Sequence, residues 1–202
     1  MEYNVLYKNN KSVWGDRPNA LLQQVYSKVG SPAEFLDLGC GQGRDSLFML
    51  KNCFSVTAVD KSQEGLNNIS EQVKKHGLPL DNIALVHQEV KDFSIEKDKF
   101  SIINAFNVLQ FLIKVNALLV IKNIKEVLIS GGYVIISGFI DSDPLFFKNN
   151  QNNGFFKKGE LKSLFSDFKI ILYEEKTVDD PGHPGWLEPH QHFVVKMIAQ
   201  KN

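Results

Sequence analysis

"EFLDLGCGQGRDSLFML", residues 34–50, sets Gly39, Gly41 and Gly43 at alternate positions between an apolar run and a stretch with helical rhythm. Glycine reaches backbone angles that other residues resist and carries no Cβ. A glycine turn between a buried strand and a helix therefore lets backbone N–H groups and a helix N-terminus approach a small ligand. The run before the turn is one of a series. Apolar or alternating blocks recur at 54–60, 83–87, 100–106, 133–139, 168–175 and 192–200, which makes seven strand candidates with 34–38. Helical spacings separate most of them. Leu66, Ile69 and Val73 form one such stripe, stopped by Gly77 and Pro79, and Val115, Leu118, Ile121, Ile124 and Leu128 form another, stopped by Gly131 and Gly132. A helix over 18–29 precedes the first strand, with Pro18 suited to its first turn.

Alternating strands and helices predict an α/β, doubly wound, seven-stranded, mostly parallel sheet with right-handed crossovers. The ending breaks the alternation. "KTVDDPGHPGWLEPHQ" (176–191) holds three prolines and two glycines, too few helix formers for a crossover, so the last strand is expected to run antiparallel. One domain is expected over 1–202, with residues 1–30 supplying an N-terminal lid and helix.

The chain of 202 residues carries 23 Lys plus Arg against 23 Asp plus Glu, a balance that offers no field to collect nucleic acid or anionic lipid. The N-terminus lacks a basic start followed by a continuous apolar stretch, and the apolar region 102–121 is interrupted by Asn104, Asn107, Gln110, Lys114 and Asn116. Cys40 and Cys53 form neither a CxxC pair nor a disulfide framework. A soluble, cytoplasmic protein is expected, with no nucleic-acid or membrane partner and an oligomeric state that the sequence leaves open.

In a doubly wound sheet, ligands sit beyond the carboxyl ends of the strands at the switch in strand order. The glycine turn is the floor of such a site. The dinucleotide fingerprint places its third glycine one position later than Gly43, and a Walker loop ends in Gly-Lys-Ser/Thr, which is absent. Asp60 ends the second strand, where a carboxylate accepts hydrogen bonds from ribose hydroxyls, or caps the next helix beside Ser62. Asp37, two residues before Gly39, adds a second acid near the turn.

"LDLGCGQGRDS" (36–46), "VTAVDKS" (56–62), "VKDF" (90–93), "NVLQFL" (107–112) and "SGGYVIISG" (130–138), in this order, resemble the motifs of class I S-adenosylmethionine-dependent methyltransferases, a Rossmann-like fold. Within that class the chain most resembles the tellurite-resistance methyltransferases, through "FFKKGELKSLF" (155–165) and "GHPGWLEPHQHFVVKMIAQK" (182–201) as well. The resemblance implies S-adenosyl-L-methionine as cofactor, held by Gly39, Gly41 and Gly43 at its methionine part and by Asp60 and the adjoining Lys61 at its ribose. Asp92, otherwise a solvated acid of a charged loop, and Phe93 would meet the adenine, Ala105 the methionine amino end, and Arg44 the cofactor carboxylate, unless Arg44 pairs with Asp45 or caps a helix surface. Trp14, in a segment that folds over the cofactor in related proteins, would cover it, or else packs against the helix beneath. The implied reaction is methyl transfer to a small acceptor such as tellurite or another metalloid oxyanion, or a thiol. An NAD-dependent oxidoreductase and a non-catalytic S-adenosylmethionine-binding module are the alternatives.

His183, His190 and His192 cluster near the end. On a strand, His190 and His192 lie on the face opposite Phe193, Val195 and Met197, which places the pair away from the apolar side. The three read as catalytic groups that shape the acceptor pocket, or as satisfied surface histidines. No metal is expected, because no flanking acid or cysteine has familiar ligand spacing. Phe139, Phe146, Phe147, Phe155 and Phe156 suit an apolar acceptor pocket, or a core.

Overall fold

The computed structural model describes residues 3–94, 97–145, 153–184 and 186–202, so Phe146, Phe147 and most of the 148–154 loop lie outside it. Its strands are β1 (Glu34–Leu38), β2 (Ser55–Asp60), β3 (Ile83–His87), β4 (Phe100–Phe106), β5 (Leu128–Phe139), β6 (Phe168–Asp180) and β7 (His190–Lys201). They form a seven-stranded sheet in the order β3-β2-β1-β4-β5-β7-β6. β7 runs antiparallel to both β5 and β6, and the other described pairings are parallel. The expected doubly wound sheet with a reversed last strand is what forms.

Successive residues of a strand face opposite ways, and that alternation divides the core. Leu36, Ile103 and Ile136 pack in one apolar cluster, while Phe35, Ile102 and Ile135 pack in another. The first layer is completed by α5 (Lys114–Val127) and α6 (Glu160–Leu164), through Val120, Ile124 and Leu161. The second layer is completed by α2 (Ala20–Val25), α3 (Arg44–Lys51) and α4 (Gln63–Lys75), through Val25, Met49 and Ile69. From β1 the chain winds outward to β3 and then returns to place β4 on β1's other side. The switch point therefore lies between β1 and β4, where the glycine turn begins.

Three boundaries differ from the sequence reading. α2 starts at Ala20, because the Asn19 side chain accepts from the Leu22 N–H at 2.8 Å and caps the helix; Pro18 stays outside, and a 3₁₀ turn follows at Tyr26–Lys28. α5 ends before Leu128, which already pairs with Phe100; the register then shifts before Tyr133 joins Ile102, so Gly131, at φ 77°, absorbs an irregularity inside β5 rather than ending a helix. β6 and β7 pair all the way from Phe168↔Lys201 to Asp180↔His190, which carries their far ends beyond the spans read from hydrophobicity. A short helix at the start, α1 (Tyr3–Asn9), packs on α4. No helix among the described residues is long and apolar enough to cross a membrane.

Candidate active site

All three turn glycines have positive φ: 70° at Gly39, 54° at Gly41 and 82° at Gly43. Space is as restrictive as conformation. A Cβ on Gly39 would run into Val108, one on Gly43 into Ile69, and one on Gly41 would stand 2.9 Å from the Tyr7 hydroxyl. Gly41 donates its N–H to Asp60 Oδ2 at 2.8 Å, and Ser62 donates to Asp60 Oδ1 at 2.8 Å. The end of β2 is thus locked to the turn after β1. Ser62 itself caps α4 by accepting from Gly65, so the helix is capped by the hydroxyl and the Asp60 carboxylate ties the cap residue to the turn. Burial raises the Asp60 pKa against the opposing effect of those two N–H bonds.

Beneath the turn lies a buried polar network that the sequence reading missed except for Asp37 and Arg44. Asp37 accepts from Ser46 Oγ at 2.6 Å and from Asn104 Nδ2 at 2.9 Å. Asp45 accepts from the Asn19 backbone N–H and side-chain amide, each at 2.8 Å, and from Asn104 at 3.2 Å. Burial first, and then the Asp45 charge, push Asp37 up to about 7. Arg44 reaches Asp45 at 3.3 Å and lies over the Phe106 ring at 5.6 Å, so its guanidinium serves this network. Asp37 and Asn104 are direct partners across β1 and β4, at the switch point.

The N-terminal segment closes over the turn. Asn4 Oδ1 accepts from Ser62 Oγ and the Glu64 N–H, both at 3.0 Å, which pins α1 to the start of α4. Gln42, inside the turn, accepts from the Val13 N–H at 2.8 Å. Tyr3 and Tyr7 stand near enough to Asp60 that its charge adds to burial in raising their hydroxyl pKa, that of Tyr3 to about 12. Trp14 donates from Nε1 to the Tyr7 hydroxyl at 3.3 Å, and its ring lies 6.4 Å from that of His183. Trp14 is 42% exposed and so lies outside the core.

The remaining expected positions are less uniform. The Lys61 carbonyl accepts from His87 Nε2 at 3.0 Å, next to Asp60. Asp92 is exposed, with its carboxylate on the Lys91 ammonium at 2.8 Å, while Phe93 packs half-buried against the cluster that contains Leu36 and Val90. Ala105 is wholly buried in that cluster, so its methyl is committed to the core and only its backbone can meet a ligand. Gln110 is buried, and its Oε1 has no hydrogen-bond partner among the described residues.

The histidines assemble at the same end of the molecule. β7 is reversed, so its first residues lie beside the last residues of β5: Phe139 pairs with Val194. His192 Nε2 lies 2.9 Å from His190 Nε2 and 3.3 Å from His183 Nε2, and 3.9 Å from Asp180 Oδ2. His192 lies on the strand face opposite Met197, yet it is only 3% exposed and stacked on Phe139 at 4.5 Å, so the reading of a surface histidine fails for this residue. β7 is buried on both faces, through Val195 and Met197 on one and Val194 and Ile198 on the other. A fully buried acid, Asp143, accepts from His192 Nδ1 at 2.9 Å and from the Phe193 N–H at 2.8 Å. Sequence gave no signal for Asp143, which lies well away from the histidines along the chain.

A family model described as tellurite resistance protein TehB matches residues 20–180. A curated relative from Haemophilus influenzae, named as a probable S-adenosyl-L-methionine-dependent methyltransferase TehB, is 30% identical over 171 residues that cover 83% of this chain and 54% of the relative. The crystal structure of TehB from Haemophilus influenzae superposes with a TM-score of 0.77 at 25% identity, over 91% of this chain and 62% of that one. Burkholderia thailandensis 1,6-didemethyltoxoflavin-N1-methyltransferase, solved with its namesake ligand and S-adenosylhomocysteine, shares the fold with a TM-score of 0.66 at 20% identity, over 100% of this chain and 86% of that one. The chain spans about half the length of the curated relatives it matches.

Proposed function

This chain belongs to the tellurite resistance protein TehB family, and we propose that it transfers the methyl group of S-adenosylmethionine to a small acceptor at the carboxyl end of its sheet. The observation that carries the reading is the hydrogen bond from Gly41 to Asp60, which fixes a carboxylate beside the glycine turn at the switch point. A carboxylate has about four acceptor positions, and two backbone N–H groups leave capacity for two ribose hydroxyls. Gly39, Gly41 and Gly43 line the methionine part, with the Asp37–Asn104–Asp45 network beneath them, and Arg44 stands by that network as a partner for the cofactor carboxylate. Lys61 adjoins the ribose, Asp92 and Phe93 the adenine, and the Ala105 backbone the amino end. α1, Tyr7 and Trp14 form the lid of the expected 1–30 segment.

The cofactor supplies a methyl group already activated on a sulfonium. The chain's task is alignment, and holding two reactants in line can contribute about 7–11 kcal/mol of a barrier. His183, His190 and His192, joined to the lid through Trp14, border the acceptor end. Gln110 offers a buried carbonyl oxygen, without a partner among the described residues, to a donor on the ligand or acceptor. Metalloid oxyanions such as tellurite, and thiols, are the acceptor classes to test first.

Calorimetric titration with S-adenosylmethionine and with NAD, followed by incubation of methyl-labelled cofactor with tellurite, thiols, amines and carboxylates, tests the proposal. Binding of S-adenosylmethionine and a labelled small product are expected. NAD binding alone would point to an oxidoreductase, and cofactor binding with no labelled product from any acceptor would point to a sensor.

A further inference from the structure

We propose that His183, His190, His192 and Asp180 form a binding site for a divalent first-row transition ion of the zinc class. The argument begins with tautomers. His192 Nδ1 faces the Asp143 carboxylate at 2.9 Å, His190 Nδ1 faces the Glu188 carbonyl at 2.7 Å, and His183 Nδ1 faces the Pro184 carbonyl at 3.0 Å. All three partners are acceptors, so each Nδ1 carries the N–H, and a neutral imidazole has only one. With the three rings neutral, the Nε2 atoms are bare lone pairs, and they converge, at 2.9 Å and 3.3 Å from His192 Nε2. Lone pairs at such distances repel. A cation held between them turns the repulsion into three bonds.

The spacing agrees with that ion. Metal–nitrogen distances of 2.0–2.1 Å in a tetrahedral site imply ligand atoms about 3.3 Å apart. The separations from His192 Nε2 run from 2.9 Å to 3.9 Å, and the candidate ligand atoms of all four residues lie within 4.8 Å of one another. Asp180 is oriented for the role: its Oδ1 accepts from the Gly182 N–H at 2.8 Å, which leaves Oδ2 toward the histidines. Three imidazoles and one carboxylate suit zinc, and also cobalt or nickel, better than calcium or magnesium, which take oxygen ligands.

The surroundings have the form such sites take. Ligating histidines donate their other N–H to a carboxylate or carbonyl, and all three do so here. Asp143 is held by the N–H groups of Phe193 and Leu145 and is wholly buried; it is a positioning residue for His192. Trp186 stacks on His190 at 3.8 Å and Phe139 on His192 at 4.5 Å, which fixes two ring planes. The acids that sequence spacing failed to supply come from the end of β6 and from the chain just past β5.

The test uses the untagged full chain, stripped with a chelator and titrated with Zn²⁺ and Co²⁺ by calorimetry and visible absorption, with no cofactor or acceptor present. One ion per chain is expected, with Co²⁺ showing the ligand-field bands of a four-coordinate site. His183→Gln and His190→Gln should each weaken binding by at least ~100-fold, beyond the ~10–100-fold expected when an outer partner is altered, as in Asp143→Asn. Circular dichroism checks that each variant folds, and half-buried His190 keeps the test available if Asp143→Asn does not. Wild-type protein that takes up neither ion, or binding unchanged in both histidine variants, overturns the proposal. The methyltransferase reading is not at stake in these titrations, so the two fail separately.

Discussion

Replacing Asp60 with Asn separates a ligand-binding carboxylate from one that merely holds a turn. Each oxygen of Asp60 accepts one backbone N–H at 2.8 Å, from Gly41 and from Ser62. Asn retains one acceptor and turns an NH₂ group toward the other donor. An N–H left without an acceptor in a buried setting costs about 1–3 kcal/mol. Part of that is offset, because burial already disfavours the charged form of Asp60 and the substitution removes the charge. A net loss of ~1–2 kcal/mol is expected, and at about 2–4 °C per kcal/mol for a chain of this size the melting temperature should fall by roughly 2–8 °C. Binding is a separate quantity. If Asp60 accepts from two ribose hydroxyls, Asn can keep one such bond and loses the other, a charge-assisted bond worth about 1.5–3 kcal/mol, or ~10–150-fold in affinity. Thermal denaturation and calorimetric titration with S-adenosylmethionine, on the same protein, read the two effects. A lowered melting temperature with unchanged cofactor affinity would refute the ribose role and leave Asp60 as a turn anchor.

Three further outcomes follow from the geometry. Asp37 titrates near 7 rather than at 3.8, so between those values the native chain holds a proton that the unfolded chain has released; stability should fall as pH rises through that window, by up to ~1.4 kcal/mol per pH unit, and urea unfolding of Asp37→Asn should show a flatter profile than wild type. Gly43→Ala combines a φ of 82° with a Cβ directed into Ile69 and should cost ~2–4 kcal/mol in thermal unfolding; in an Ile69→Ala background, which lacks the Cγ1 and Cδ1 atoms that the new Cβ meets, the same substitution should cost only the backbone strain of ~1–2 kcal/mol. Trp14→Ala removes an exposed ring and one long hydrogen bond, so stability should change by less than ~1 kcal/mol while methyl-transfer turnover falls; full turnover in this variant would remove Trp14 from the lid.

The strands were legible where side-chain alternation or continuous burial is uninterrupted: β1, β3 and β4 fall where the apolar runs place them. β5 was read short because Gly131 and Gly132 look like a helix stop, yet the pairing of Leu128 with Phe100 makes the strand begin before them. Local signals cannot show a neighbour's register. The glycine turn and Asp60 were legible as separate features because each sits at a strand end, and the hydrogen bond between them needs only that β1 and β2 be adjacent.

What remained hidden depends on strand order. Asp37 and Asn104 are isolated polar residues inside two apolar runs, and each alone reads as a misfit. They become partners because the chain inserts β4 beside β1 after completing β3. The histidines present the same problem at the opposite side of the sheet. Period-two reasoning correctly sets His192 on the face opposite Met197, but whether that face is open depends on β7 lying between β5 and β6. That insertion brings Phe139 over one imidazole and Asp143 under it, while the hairpin turn returns His183 and Asp180 to the same point. Ligand-spacing rules work for sites built on one helix or one loop. Here the converging groups come from β6's end, the turn, β7's start and the chain past β5, so their meeting is a property of the reversed strand and not of any short stretch of sequence.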